Sequence, residues 1–106
     1  MRRVELTGER DVTASGSTNA RVRRLAAQGH VVVIEIGPGG VVAKHPAASA
    51  QLFVVVSGDG WVSGADGERE AIVAGQAVLW EPGEEHESGS YAGMTALVVE
   101  AEALDT

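Results

Sequence analysis

Few side chains in this 106-residue chain could do metal or acid–base chemistry. It has three histidines, His30, His45 and His86, and no cysteine. Thiolate nucleophiles, disulfides and zinc knuckles are therefore excluded. What remains is imidazole nitrogen with carboxamide or carboxylate oxygen, a donor set that borderline divalent metals accept. Gln51 follows His45 at close spacing, and His86 lies in the acidic run "EPGEEHESGS" (81–90). Two imidazoles and an amide oxygen brought together would hold a divalent metal weakly, with water completing its shell. Bonded to one another or to water, such side chains would instead make a polar wall. His30 opens an apolar run and reads as a strand-edge residue.

Glu81, Glu84, Glu85 and Glu87 surround His86 in sequence. They could raise its pKa and draw in a cation or amine. A solvated turn explains them more simply, since carboxylates at a rim favour solubility. Extended backbone at 85–87 would also turn Glu85 and Glu87 away from His86. Trp61 and Trp80 read first as core, in a chain with few large side chains, and second as pocket walls that could stack on a planar ligand. Ser57, Ser63 and Ser88 lack a nucleophile elbow. "GPGG" and "GADG" precede no helix, so neither cradles phosphate. Asp59 and Asp66 sit beside glycines, as turn residues do.

Elements that could position these residues are short and β-rich. "HVVVIEI" (30–36), "QLFVVVS" (51–57), "GWVSG" (60–64), "EAIV" (70–73), "AVLWE" (77–81) and "MTALVVEA" (94–101) recur between turn signals. That spacing is the pattern of a sandwich or barrel. "SGDG" and "GADGE" predict hairpin turns, because Asp-Gly supplies positive φ. The stretch "STNARVRRLAAQGH" (17–30) fits a helix capped by Asn19 and closed by Gly29, or a strand leading into 30–36; the all-β surroundings favour the strand. Residues 1–18 read as an arm or edge strand ahead of a single domain spanning 1–106.

Two stretches align by spacing. The first is Gly39, five residues, His45, one residue, Ala47, three residues, Gln51, six residues, Gly58. The second is Gly75, five residues, Glu81-Pro82-Gly83, two residues, His86, three residues, Ser90. Together, over residues 37–90, they resemble the paired motifs of the cupin family. Its first motif is Gly, five residues, His-x-His, three or four residues, Glu, six residues, Gly; its second is Gly, five residues, Pro-x-Gly, two residues, His, three residues, Asn. The resemblance implies an all-β fold, the cupin double-stranded β-helix or jelly-roll barrel. It also implies that the family's inward imidazoles and carboxylate, which hold iron, manganese, nickel or zinc, map here onto His45, Gln51 and His86. This chain departs from the pattern at Ala47, Gln51, Glu81 and Ser90. An alternative register counts Gly37, five residues, Ala43, one residue, His45. His45 is then the second ligand position, and an alanine fills the other in either case.

The net charge of −7 argues against nucleic acid and anionic membrane surfaces as partners. "MRRVELTGERD" has no apolar segment of a signal peptide, and no apolar run approaches a membrane span. These features predict a soluble, cytoplasmic domain. Apolar strands such as "ALVVEA" at a sheet edge predict a homodimer. Three functions fit: a small-molecule-binding domain with a partly degenerate metal site, a metal-dependent oxygenase, isomerase or cyclase, and a dimeric regulatory module acting through its surface. The lost ligands favour the first, and the fold alone selects no reaction.

Overall fold

The computed structural model describes residues 1–4, 9–11, 21–23, 26–27, 30–101 and 104–105, with side chains for 1–4 and 31–101. Twelve strands and no helix occur among them: β1 (Arg2–Val4), β2 (Glu9–Asp11), β3 (Arg21–Arg23), β4 (Ala26–Ala27), β5 (His30–Ile36), β6 (Val41–Pro46), β7 (Ala50–Ser63), β8 (Glu70–Val73), β9 (Ala77–Trp80), β10 (Glu85–Gly89), β11 (Met94–Ala101) and β12 (Leu104–Asp105). Within 17–30 the described residues are strands, with β3 paired to β2 and β4 to β12. The expected helix caps Asn19 and Gly29, and positions 12–18 of the arm, lie outside the described residues.

The architecture turns on β7. Its first half lies between β9 and β11, with Gln51 opposite Trp80 and Glu100. Its second half lies between β8 and β10, with Trp61 opposite Ala71 and Gly89. One 14-residue strand thus serves two facing sheets, β1-β9-β7-β11-β5 and β8-β7-β10-β6, all antiparallel. "SGDG" is therefore not a hairpin turn. Gly58 bends the strand instead: its φ is 78°, and a Cβ there would lie 2.2 Å from the Gly93 carbonyl oxygen. "GADGE" does turn. Gly67 (φ 73°) donates to the Gly64 carbonyl, and the Asp66 carboxylate accepts from the Glu68 amide at 2.9 Å.

Side chains fill the space between the sheets. Phe53, Val55, Val62, Ile72, Val78, Trp80, Met94, Ala96 and Val98 form the inner core. Each large apolar side chain so buried contributes about 1.5–3 kcal/mol. The opposite face of the first sheet buries Leu52, Val54, Ala77 and Leu79 against Val4, Leu97 and Val99. A strand covered on both faces reads as a continuous apolar run, which is why "LFVVV" shows no alternation.

Two strands carry the candidate imidazoles, and neither stands out as an apolar run. β6 holds His45, and β10 holds His86 inside a stretch that reads as a solvated turn. Only Glu81–Glu84 is a turn, closed by the Glu84 amide donating to the Glu81 carbonyl at 3.0 Å. From Glu85 onward the chain is strand, with His86, Ser88 and Gly89 buried and Glu85 exposed.

Candidate functional site

β6 and β10 are antiparallel neighbours, and their register sets His45 directly opposite His86. The ring centroids are 4.2 Å apart, inclined at 57°. His86 is buried, whereas His45 is exposed, so the pair straddles the line between core and solvent. Each ring is fixed by the backbone carbonyl two residues before it. His45 Nδ1 lies 2.7 Å from the Ala43 carbonyl oxygen and His86 Nδ1 lies 3.1 Å from that of Glu84. A carbonyl oxygen only accepts, so Nδ1 is the donor in both rings, and in the neutral ring Nε2 keeps the lone pair. Behind His86 lies Trp80, stacked at 4.3 Å and 29°. The indole N–H donates to the Ser63 carbonyl at 3.0 Å, and Phe53 meets the ring edge-on at 5.3 Å.

Burial is the strongest influence on His86 and holds its pKa below the ordinary imidazole value. The nearby His45 ring acts in the same direction, while the Glu84 carbonyl and the Glu84 and Glu85 charges oppose it without prevailing. The acidic run thus pulls His86 upward, as its sequence position suggests, but burial prevails. One of its half-buried members, Glu84, has another partner. It accepts from the α-ammonium of Met1 at 2.7 Å and from the Ala65 and Glu81 amides at 3.0 Å each. Desolvation pushes the Glu84 carboxyl up, but these donors outweigh it and its pKa ends below the ordinary carboxylate value.

The two alanines of the alternative registers part company. Ala47 belongs to the inner core, while Ala43 is exposed. A bulge between His86 and Ser88 produces this, because it shifts the alternation of β6 along its length. Of the two alanines, Ala47 is thus the one on the inward side. Gln51 shares the inward face with Phe53 and Val55, but its amide donates to the Glu100 carboxylate at 2.9 Å rather than engaging an imidazole. Glu100 was legible as an anomaly: on the parity of the core residues Ala96 and Val98, it is a carboxylate where β11 is otherwise apolar. His30 stands opposite Glu100 on β5.

Four inward ligands would be needed for the metal centre that the motifs imply. Among the described residues no three His, Asp or Glu side chains come together as a metal site. The buried methyl of Ala47 occupies one ligand position, and the amide of Gln51 is already committed. The residues present do not fit a resident divalent metal.

The tryptophans also resolve. Trp80 is 1 % exposed, with one face taken by His86, so it supports that ring and presents no face to a ligand. Trp61 alternates with the inward Val62 and lies on the outer face of the second sheet, away from the imidazoles. It is therefore not a wall of the barrel interior. Ser90, in the place of the second-motif Asn, is buried and holds a turn: it donates to the Asp59 carbonyl at 2.6 Å and accepts from the Gly93 amide at 2.8 Å.

No helix among the described residues is long and apolar enough to cross a membrane. No curated protein matches the chain. Among solved structures, an uncharacterized conserved protein with a double-stranded β-helix domain from Klebsiella pneumoniae is similar at 21% identity and TM-score 0.63, covering 91% of this chain and 90% of that one. The DMSP lyase DddQ from Ruegeria pomeroyi is similar at 17% identity and TM-score 0.65, covering 79% of this chain but 50% of its own. A cupin-like protein from Thermotoga maritima is similar at 17% identity and TM-score 0.64, covering 69% of this chain and 56% of its own. The chain thus spans about half the length of the last two, and at these identities the likeness is one of fold. The family model for the cupin domain matches residues 32–99, the stretch that holds β6 to β10, most of β5 and β11, and the paired imidazoles, and the chain belongs to the cupin family.

Proposed function

We propose that this chain is a small-molecule-binding cupin domain that receives its ligand where His45 and His86 meet, and that a divalent metal such as zinc, nickel, manganese or iron is at most weakly held there. The supporting observation is the imidazole pair itself. The two rings are 4.2 Å apart, each pinned through Nδ1 to the carbonyl two residues before it, one of them open to solvent. Rings so oriented offer Nε2 lone pairs without further reorganisation, which suits a ligand hydroxyl or N–H donor. Trp80 and Phe53 stiffen His86 from behind.

The test is a metal titration with internal controls. Zinc and nickel are added to the parent and to the variants Gln51→Glu, Ala43→His and Ala47→His, with the His45 and His86 ring signals followed by NMR. The parent should bind weakly. Ala47→His combined with Gln51→Glu should bind far more tightly, since a third imidazole and an anion then face the dication in a partly desolvated site. Ala43→His should change nothing, because Ala43 faces solvent. Tight binding by the parent would overturn the proposal in favour of a metalloenzyme.

A further inference from the structure

On the outer face of the second sheet, well separated in register from the imidazole pair, lies an open groove of about 340 Å³. Trp61 forms its floor. The indole lies flat over the backbone of Gly89, where a Cβ would come within 2.5 Å of the ring, so only glycine lets it settle. The Arg69 guanidinium covers the other face, its central carbon 3.7 Å from the ring centroid, which leaves Trp61 7 % exposed. Tyr91, 78 % exposed, and Val73, 46 % exposed, present apolar surface alongside.

The charges in this groove are distributed unevenly. Stacking on an aromatic face fixes the plane of a guanidinium but leaves its N–H edge free to donate. In a chain of net charge −7, Arg69 is a cation that, among the described residues, has no carboxylate within ion-pair distance. The adjacent Glu70 is turned to Arg3, at 3.8 Å. Asp59 and Glu70 both line the groove, and their fields disfavour anions, multiply charged ones most. A stacked cation with no carboxylate partner among the described residues, set beside apolar walls, points to a ligand with one anionic group and an apolar body. We propose that this groove binds a small organic monocarboxylate with a flat apolar body, its carboxylate on the edge of Arg69 and its body against Tyr91 and Val73. The inference is independent of the reading given to the imidazole pair.

The two indole N–H signals, with that of Trp61 assigned through its contacts to Arg69, report the groove and the core separately. Benzoate is the probe; benzyl alcohol supplies the flat body without the charge, and inorganic phosphate the charge without the body. Benzoate should shift the Trp61 signal saturably and leave the Trp80 and His86 signals in place. Arg69→Gln should weaken it by about tenfold or more, since a charge-assisted pair is lost. Arg69→Lys should recover little, because a point charge neither stacks nor forks. Arg69 is exposed, so both variants keep the fold, which the dispersion of the same spectra checks. Absence of a saturable shift, undiminished binding by Arg69→Gln, or phosphate binding as well as benzoate would each overturn the proposal.

Discussion

His86 is clasped between two rings, with Trp80 stacked 4.3 Å behind it and His45 4.2 Å in front. An imidazole so enclosed resists protonation: burial dominates, and a neighbouring imidazole adds to it. The consequence for stability has a definite sign. The unfolded chain takes up the proton at a higher pH than the folded one, so folding is favoured above the ordinary imidazole pKa. That contribution is lost as pH falls from there through the depressed folded value. Denaturant midpoints should therefore decline below about pH 6.5, and His86→Gln should remove that part of the decline. His45→Ala should raise the His86 pKa, read directly from the ring proton shifts.

Glu84 sets a second, more acidic window. Its folded pKa is depressed, so its contribution is complete above the ordinary carboxylate value and disappears as pH falls through the folded one. The partners are nearly buried, with side-chain exposures of 7 % and 9 %. Glu84→Gln leaves the Met1 ammonium without its counter-charge and should cost about 3 kcal/mol at neutral pH. Acid unfolding of that variant should also be shallower than the parent's, as circular dichroism would show.

Two glycines of similar φ should respond differently to alanine. Gly58 and Gly39 have φ of 78° and 75°, but only Gly58 has backbone where a Cβ would go. Gly39→Ala should cost about 1–2 kcal/mol, the penalty of a left-handed alanine. Gly58→Ala should cost clearly more, because the Gly93 carbonyl cannot yield without disturbing β7 against β11. Urea midpoints measured side by side would settle the order.

The strand expected at the edge is not there. β11, which contains "ALVVEA", is paired on both sides, by β7 and β5. Among the described residues β5 is the outermost strand on that side of the sheet, and Val31, Val32 and Val33 on it are 63 %, 45 % and 59 % exposed. An apolar edge of this kind invites pairing with another copy. Sedimentation should show a homodimer at micromolar concentration, and Val33→Lys should shift it toward monomer.

Strand rhythm and the glycine-punctuated motifs made the fold readable from the sequence, because a two-faced sheet writes itself as apolar runs between turns. What escaped has physical causes. The segment "EHESG" is strand in spite of its charges, since only His86 and Ser88 need face inward. "SGDG" looks like a reversal, yet Gly58 uses its positive φ to bend one strand. The choice between Ala43 and Ala47 rested on a bulge, which has no signature in composition. Arg69 over Trp61 joins residues eight apart across a turn, a contact that β periodicity does not foretell.

Because β7 belongs to both facing sheets, those two sheets share no seam along which one could open from the other. Residues 50–57 cannot leave β9 and β11 without loosening the path that holds 59–63 to β8 and β10. Melting should therefore be a single all-or-none event. The amides of Leu52 to Val55 and of Val62 should exchange with solvent only through global unfolding, at one common free energy, although they lie in different sheets.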